Sequence, residues 1–379
     1  MKKVLITGTF DFFHPGHIDV IKQAKKLGDF LIVVIARDKN VKKNKGFKPY
    51  FKEKERLNYL KSLKSVDKVV LGDLKDPYKV IKEEKPDIVA LGYDQHFYVQ
   101  GLYDLRIHLP LHYKIEELEP FKKDVCKSKR LGNAYLDEEA GFVLIDKEET
   151  WTSHDVIAKL RNNLGIKQIG HTGTLDPMAT GLLICAVSKA TKLVNIFDLL
   201  PKEYEATIKL GMTSSTYDKE GKLEDKKEVN VKKEVNVKKE ELEKALNRFI
   251  GKQKQIPPMF SAKKINGQKL YDLARLGVNI KRSASEIEIY DIQLLFFKKD
   301  IFKIRVKCST GTYIRSLAHD LGKVLKVGAY LEDLKRTAIY KFKLSDSVKV
   351  NKLTKENYEK CRIKPLKAID VINKYCMKS

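Results

Sequence analysis

Cysteine is scarce and scattered. Five residues (Cys126, Cys185, Cys308, Cys361 and Cys376) are spread through 379 with no CxxC pair. That dispersal argues against a disulfide framework and a zinc site, and fits reduced thiols. Long apolar runs are missing too. The start, MKKVLITGTFDFF, is basic and then apolar like a signal peptide, but Asp11 and His14 break the run and it reads as a first strand. No stretch approaches a membrane span, so the expectation is a soluble, cytoplasmic chain. Acid is in deficit: 75 Lys+Arg against 50 Asp+Glu leave a formal charge of +25. An excess of that sign favours a polyanionic partner, because each neutralised phosphate releases counterions. What is present suffices for real cores. Apolar residues make up 42%, and the length accommodates two domains.

Residues 1–130 alternate strand and helix patterns. Val4 to Thr7 and Phe30 to Ala36 are continuous apolar runs, as strands buried on both faces should be. Between them Ile18 to Leu27 has helical spacing and stops at Gly28. Lys68 to Asp73, a helix started by Pro77, and Asp87 to Asp94 continue the alternation. The pattern predicts a Rossmann-like parallel sheet with ligands at the carboxyl ends of its strands.

One motif falls at such an end. HPGH, His14 to His17, sits between the first strand and the first helix, where free N–H groups and the helix dipole favour phosphate. Two imidazoles there could stabilise a transferring phosphoryl group, or simply cap a turn. GTFDFFHPGH after a first strand resembles the nucleotidyltransferase superfamily, which includes glycerol-3-phosphate cytidylyltransferases and FAD synthetases. LGYDQ (Leu91 to Gln95) looks like the FAD-synthetase branch. The resemblance implies nucleotide-binding roles for His14, His17 and Asp94, with CTP or ATP and Mg²⁺. It also suggests a mobile phosphate-binding loop in the basic run Arg37 to Lys48, with Arg56 serving the same end. The superfamily's closing ISTS-like motif has no counterpart in DVCKSKRLGN (Asp124 to Asn133).

A small, polar link, LGNAYLDEEA, puts a domain boundary near Leu136. Beyond it, Gly141 to Lys147 reads as a strand, and Thr152 or Ser153 as the cap of a helix through Val156, Ile157 and Leu160. GHTGTLDPMATGLL (Gly170 to Leu183) places one carboxylate, Asp176, among glycines and small residues. Pro177 disfavours helix at the acid, and Leu182 to Val187 reads as a buried strand anchoring the loop. An acid on a rigid loop above a core strand is where a nucleophile could sit. Between Lys226 and Val237 the hexapeptide KKEVNV occurs twice. It reads as a tolerated duplication in a charged hairpin tip.

The loop resembles motif II of the TruB-type tRNA pseudouridine synthases. Further matches follow in family order: GFVLIDKEETWTSHDVI (from Gly141), KEYEATIKLG (from Lys202), IPPMFSAKKINGQKLYDLARLG (from Ile256) and CSTGTYIRSLAHDLG (from Cys308). The likeness covers about Gly141 to Leu366, with a catalytic domain over 137–370. One departure is Lys147-Glu148-Glu149-Thr150, where the family usually has Lys-Pro-x-Gly.

The resemblance implies isomerisation of a T-loop uridine in tRNA without cofactor or metal. Asp176 would be the catalytic aspartate and Arg315 the guanidinium that keeps it ionised. Tyr204 would stack on the base and handle protons, with Tyr313 as a second active-site tyrosine. His171 would stand near the flipped nucleotide, Leu334 in the apolar wall, and Lys263, Lys264 and Lys269 on tRNA phosphates. Only about a dozen residues follow Leu366, so no RNA-binding PUA domain is expected. The expected fold class is α/β: a Rossmann-like nucleotidyltransferase domain (1–130) followed by an α+β pseudouridine synthase domain. Two rival functions are nucleotide transfer as the main activity, and a tRNA-binding or tRNA-folding module.

Overall fold

The structure, a computed structural model, describes residues 1–93, 95–108, 112–121, 127–224, 236–261, 264–265, 268–269, 280 and 282–378. It divides into two compact units, 1–138 with 365–379, and 139–364.

The first unit is built on a five-stranded parallel sheet. Its strands are β1 (Lys3–Gly8), β2 (Phe30–Ile35), β3 (Lys68–Leu71), β4 (Ile88–Gly92) and β5 (Lys114–Leu118), in the order β3-β2-β1-β4-β5. The order reverses between β1 and β4, which makes the end of β1 a topological switch point, the place where sheets of this type bind ligands. Val4, Leu5 and Ile6 and all of Leu31 to Ile35 are buried, which is why these strands read as unbroken apolar runs rather than alternating ones. Helix α1 (Pro15–Lys26) starts with proline in its first turn and ends with Lys25 and Lys26, both favoured there by backbone geometry and the dipole.

Two features differ from the sequence expectation. The basic run Arg37 to Lys48 is mostly helix α2 (Asp38–Lys45), closed by Gly46 in the left-handed region. Glu53 fixes its start, accepting from Asp38 N at 2.9 Å and Arg37 Nε at 3.0 Å. Arg56, in helix α3 (Glu53–Lys61), is buried and donates to the carbonyls of Thr9, Ala36 and Phe51. It is a structural clamp with no free face for phosphate. After α4 (Lys79–Glu84) and α5 (His96–His108) comes α6 (Ser128–Tyr135).

The last helix, Pro365–Lys378, also belongs to this unit. Buried Asn373 donates to Phe13 O at 3.0 Å, and Lys22 Nζ donates to Cys376 O at 2.7 Å. Whereas the sequence reading runs the second domain to residue 370, the compact unit ends at Lys364.

The second unit is organised by one large mixed sheet. Its strands are β6 (Gly141–Lys147), β7 (Ile169–Thr172), β8 (Thr180–Val187), β9 (Lys202–Leu210), β10 (Gly251–Gln255), β11 (Ser285–Lys298), β12 (Ile301–Cys308), β13 (Ala329–Ile339) and β14 (Val348–Lys349). The order is β10-β11-β12-β9-β13-β8-β6-β14, with β7 beside β8. Helix α7 (Ser153–Leu164) covers β6 and β8 through Val156, Ile157, Leu160 and Leu164. Thr152 caps it in a box with Asp155. Helices α8 (Lys239–Asn247) and α9 (Ile314–Val324) share a second core with β9, β12 and β13. Among the described residues no helix is long and apolar enough to cross a membrane.

Candidate active site

Asp176 lies on the loop between β7 and β8, and nearly every residue of that loop is tied down. Leu175 and Met178, on either side of Asp176–Pro177, are buried in the same core as Tyr204 and Leu334. Each such side chain contributes roughly 2 kcal/mol by burial, which anchors the segment carrying the acid. Ser153, at the first position of α7, bonds Leu175 both ways: its Oγ donates to Leu175 O (3.1 Å) and accepts from Leu175 N (2.9 Å). Lys147, wholly buried, donates its Nζ to the carbonyls of Glu148, Trp151 and Pro177. Burial lowers its pKa to about 8.

Arg336 holds the two shoulders of the loop, donating from Nη2 to Gly173 O and from Nε to Leu182 O, each at 2.7 Å. It stands on β13 between Tyr204 of β9 and Gly181 of β8. Gly181 has φ +98, and a Cβ there would meet Arg336 O at 2.4 Å. Glycine is therefore required both by conformation and by the close approach of β13.

Arg315 comes from the first turn of α9. Its Nε and Nη2 reach the two oxygens of Asp176 at 2.9 and 3.0 Å, a bidentate pairing that lysine could not reproduce. Its Nη1 faces Asp218 Oδ2 at 3.3 Å, and Nη2 also donates to Phe260 O at 2.8 Å. A cation in the first turn opposes the helix dipole; two carboxylates offset it. The turn is fixed by Gln255, whose amide accepts from Tyr313 N (2.8 Å) and donates to Tyr313 O (3.0 Å).

These surroundings pull Asp176 in opposite directions. Burial raises its carboxyl above the ordinary value, with the Arg315 charge opposing that rise and the Asp218 charge adding to it. Burial likewise raises the hydroxyls of Tyr204 and Tyr313, and Asp176 lies within the electrostatic reach of both. Asp176, Arg315, Tyr204 and Tyr313 thus share one neighbourhood, with Leu334 packed behind them. His171 sits at the entry to the loop, on β7, where burial lowers its pKa to about 4 and its charged neighbours are His154 and Arg336. Lys263 lies outside the described residues. Lys264 and Lys269 pair across a two-stranded turn, and their side chains lie outside the description.

Asp218, Arg336, Lys147 and Lys202 escaped the sequence reading. Lys202 was the most accessible to it: β9 alternates buried and half-buried, placing Lys202 on the same face as Tyr204 and Ala206. Its Nζ donates to Thr310 Oγ1 at 2.6 Å, and burial lowers its pKa to about 8. Thr150 answers the departure at residues 147–150. It takes φ +70, a left-handed conformation at the position where glycine was expected, and its N–H bonds Pro177 O at 3.1 Å.

In the first unit the HPGH residues lie at the end of β1. His14 and His17 are stacked, ring centroids 3.8 Å apart and 14° from parallel. Burial lowers His14 to about 4 and His17 well below its ordinary value, where the charges of His14 and Lys45 add to the fall. Both Nδ1 atoms are buried without a hydrogen-bond partner. His14 Nε2 meets Ser128 Oγ at 3.2 Å, at the N-terminus of α6. The stretch that lacks an ISTS-like motif therefore still delivers a hydroxyl and a helix start to the histidines. Asp94 lies outside the described residues. Among the described residues no group of three or more His, Cys, Asp or Glu could hold a metal ion.

Family models match both parts of the chain. Residues 161–314 match the TruB family pseudouridylate synthase (N-terminal domain), residues 315–369 the tRNA pseudouridylate synthase B C-terminal domain, and residues 5–158 the cytidylyltransferase-like family. A tRNA pseudouridine synthase B of Clostridium novyi is 48% identical over 57% of this chain and 73% of its own length. One of Opitutus terrae is 43% identical over 55% of this chain and 84% of its own. The chain belongs to the tRNA pseudouridine synthase B family, whose reaction is the isomerisation of uridine in tRNA, and carries a cytidylyltransferase-like unit ahead of that region. Among solved structures, a Cbf5-Nop10-Gar1 complex is similar at 26% identity and a TM-score of 0.43, over 60% of this chain and 59% of that one.

Proposed function

We propose that the second unit converts a T-loop uridine of tRNA to pseudouridine, with Asp176 as the attacking carboxylate. The observation that carries this reading is the bidentate pairing of Asp176 with buried Arg315 on a loop clamped at residues 173, 175, 177 and 182. In the reaction the bond from ribose C1′ to uracil N1 breaks and one from C1′ to C5 forms. N1 gains a proton and C5 loses one, so no external reactant is consumed. A carboxylate can serve as the transient partner of the reacting nucleoside, on its base or on its sugar. Arg315 keeps it ionised against desolvation. Tyr204 stacks on the base and, with Tyr313, handles the proton at C5. His171 fills the space a flipped uridine leaves, Leu334 walls the site, and the lysines of segment 263–269 hold phosphates.

The test is pseudouridine in unmodified tRNA transcripts incubated with the wild-type chain and with Asp176→Asn. T-loop conversion that disappears in the variant supports the assignment. Conversion at the wild-type rate by Asp176→Asn removes it, and tight tRNA binding by the wild type without conversion favours a binding module instead.

A second activity is favoured at the first unit by the two orphaned imidazole Nδ1 atoms beside a helix start. We infer that His14, His17, Ser128 and Lys45 receive the phosphates of a nucleoside triphosphate, CTP or ATP, with Asp94 assisting. Mg²⁺ would arrive with those phosphates. Isothermal titration of each nucleotide into wild type and His17→Ala tests this; equal binding by both proteins would dismiss it.

A further inference from the structure

Asp218 is set by an unusual backbone. Tyr217, just before it, has φ +67, a left-handed conformation that a bulky residue keeps only when its surroundings hold it. The holding contacts are all present. Tyr217 N donates to Ser214 O at 3.1 Å, its carbonyl accepts from Leu331 N at 3.0 Å, and its ring lies flat on His319, centroids 3.8 Å apart and 13° from parallel. Asp218 is then directed inward. It is 2% exposed, its Oδ1 accepts from Glu220 N at 3.1 Å and from Thr216 Oγ1, and its Oδ2 faces Arg315 Nη1 at 3.3 Å.

His319 is four residues after Arg315 on α9, so the two side chains project from one face of the helix. The dipeptide 217–218 therefore grips α9 twice: an aromatic ring on His319 and a carboxylate on Arg315. Burial lowers the pKa of His319 to about 4, which keeps the imidazole neutral and flat against the phenol at working pH.

We propose that the Tyr217–His319 stack is a positioning device that sets Asp218 against Arg315 and so fixes the guanidinium presented to Asp176. The inference rests on the reading of Asp176 and Arg315 as the catalytic pair. Neither ring is assigned contact with the substrate. Both act through the aspartate and the arginine, so their loss should slow the chemical step and leave tRNA binding alone.

Single-turnover conversion and tRNA Kd test this in the full-length chain. His319→Ala should lower the rate by about tenfold with Kd unchanged. His319→Phe, which keeps a flat ring without the imidazole nitrogens, should stay within about twofold of wild type. Tyr217→Gly keeps the left-handed backbone and removes the ring, so it should match His319→Ala. The double variant should be no slower than either single, because the two rings act as one unit. Wild-type rates in His319→Ala, multiplied losses in the double variant, or failure of His319→Phe to rescue would each overturn the proposal. Asp176→Asn run alongside separates the two readings: full activity there removes the catalytic assignment, whereas an inactive Asp176→Asn beside an unimpaired His319→Ala removes this inference alone.

Discussion

The two units differ in what lies at the centre of each candidate site: a paired carboxylate–guanidinium network in the second, a stacked pair of imidazoles in the first. In the second, the charged core is answered from within: Asp176 has Arg315, Arg315 has Asp218, and Asp218 has Thr216 and the Glu220 amide, while the Nδ1 atoms of His171 and His319 at its margin are buried without a hydrogen-bond partner. In the first, two imidazoles are buried side by side with their Nδ1 atoms unanswered. A site complete in itself has its electrostatics preorganised, and a substrate need bring only its shape and a reacting bond. A site with orphaned nitrogens is finished by its ligand, because a buried polar atom without a partner loses free energy until one arrives. On the functions proposed above, the comparison sets a charged network that acts on a nearly neutral base against an imidazole pair that receives an anion.

The largest effect should come from breaking the closed network. Arg315→Met would leave Asp176 and Asp218 facing each other without the charge between them. Removing one partner of a buried pair destabilises by about 3–5 kcal/mol, and Asp176 would move further toward its protonated form. Conversion should fall by at least about a thousandfold, with a lower midpoint in urea unfolding. Conversion within tenfold of wild type would show that the site does not depend on its internal pairing.

The second effect concerns pH. Burial raises Asp176 above the ordinary carboxylate value, so the anion that the proposed mechanism uses would be lost at a higher pH than for a free aspartate. The conversion rate should fall about tenfold per pH unit below that raised pKa. Stability moves the other way. Between the unfolded and the raised folded pKa the native state holds a proton that the unfolded state has released, so stability declines as pH rises through that window. Asp176→Asn should accordingly be inactive and melt at a higher temperature than wild type at neutral pH. A lower melting temperature would mean that the pairing with Arg315 outweighs the desolvation.

Much of this contrast was legible in the sequence, and the gaps have physical causes. The apolar runs of β1 and β2, the Thr152 cap and the strand behind Asp176 are local patterns, readable within a window of a few residues. Asp218 was hidden because its position depends on a left-handed Tyr217 and a bridge to Leu331, more than a hundred residues away. The closing helix reads as amphipathic in any setting, but its partner Phe13 lies at the other end of the chain. Helix α2 reads from sequence as a mobile phosphate-binding loop because lysines dominate it; what starts the helix is Glu53, outside the run. Arg56 illustrates the limit of charge as a guide, since its guanidinium is taken up inside the unit by three backbone carbonyls and the Asp38 carboxylate.

A smaller effect sharpens the contrast from the first unit. His17→Ala removes one stacked imidazole and opens a cavity beside His14, with no bearing on the Asp176 network. Nucleoside triphosphate binding should weaken by about tenfold or more, the loss of one charge-assisted hydrogen bond, while pseudouridine formation stays at the wild-type rate. A parallel loss of conversion would show that the two sites are not independent, and the division into a closed and an open site would fail.

The smallest effect tests how the closed site holds its shape. Thr150 sits at φ +70, which is strained for a β-branched residue. The turn persists because its N–H bonds Pro177 O and because Lys147 Nζ reaches the same carbonyl. Thr150→Gly would relieve the strain but add freedom to the unfolded chain, and these oppose each other. Relief is the larger where φ is firmly positive, so a net stabilisation of about 0.5–1 kcal/mol is expected, with conversion unchanged. Stabilisation with unchanged rate would place the rigidity of the Asp176 loop in the Lys147 and backbone bonds rather than in the threonine. A slower enzyme would mean instead that the threonine side chain stiffens the loop, and that the strain at residue 150 serves the site.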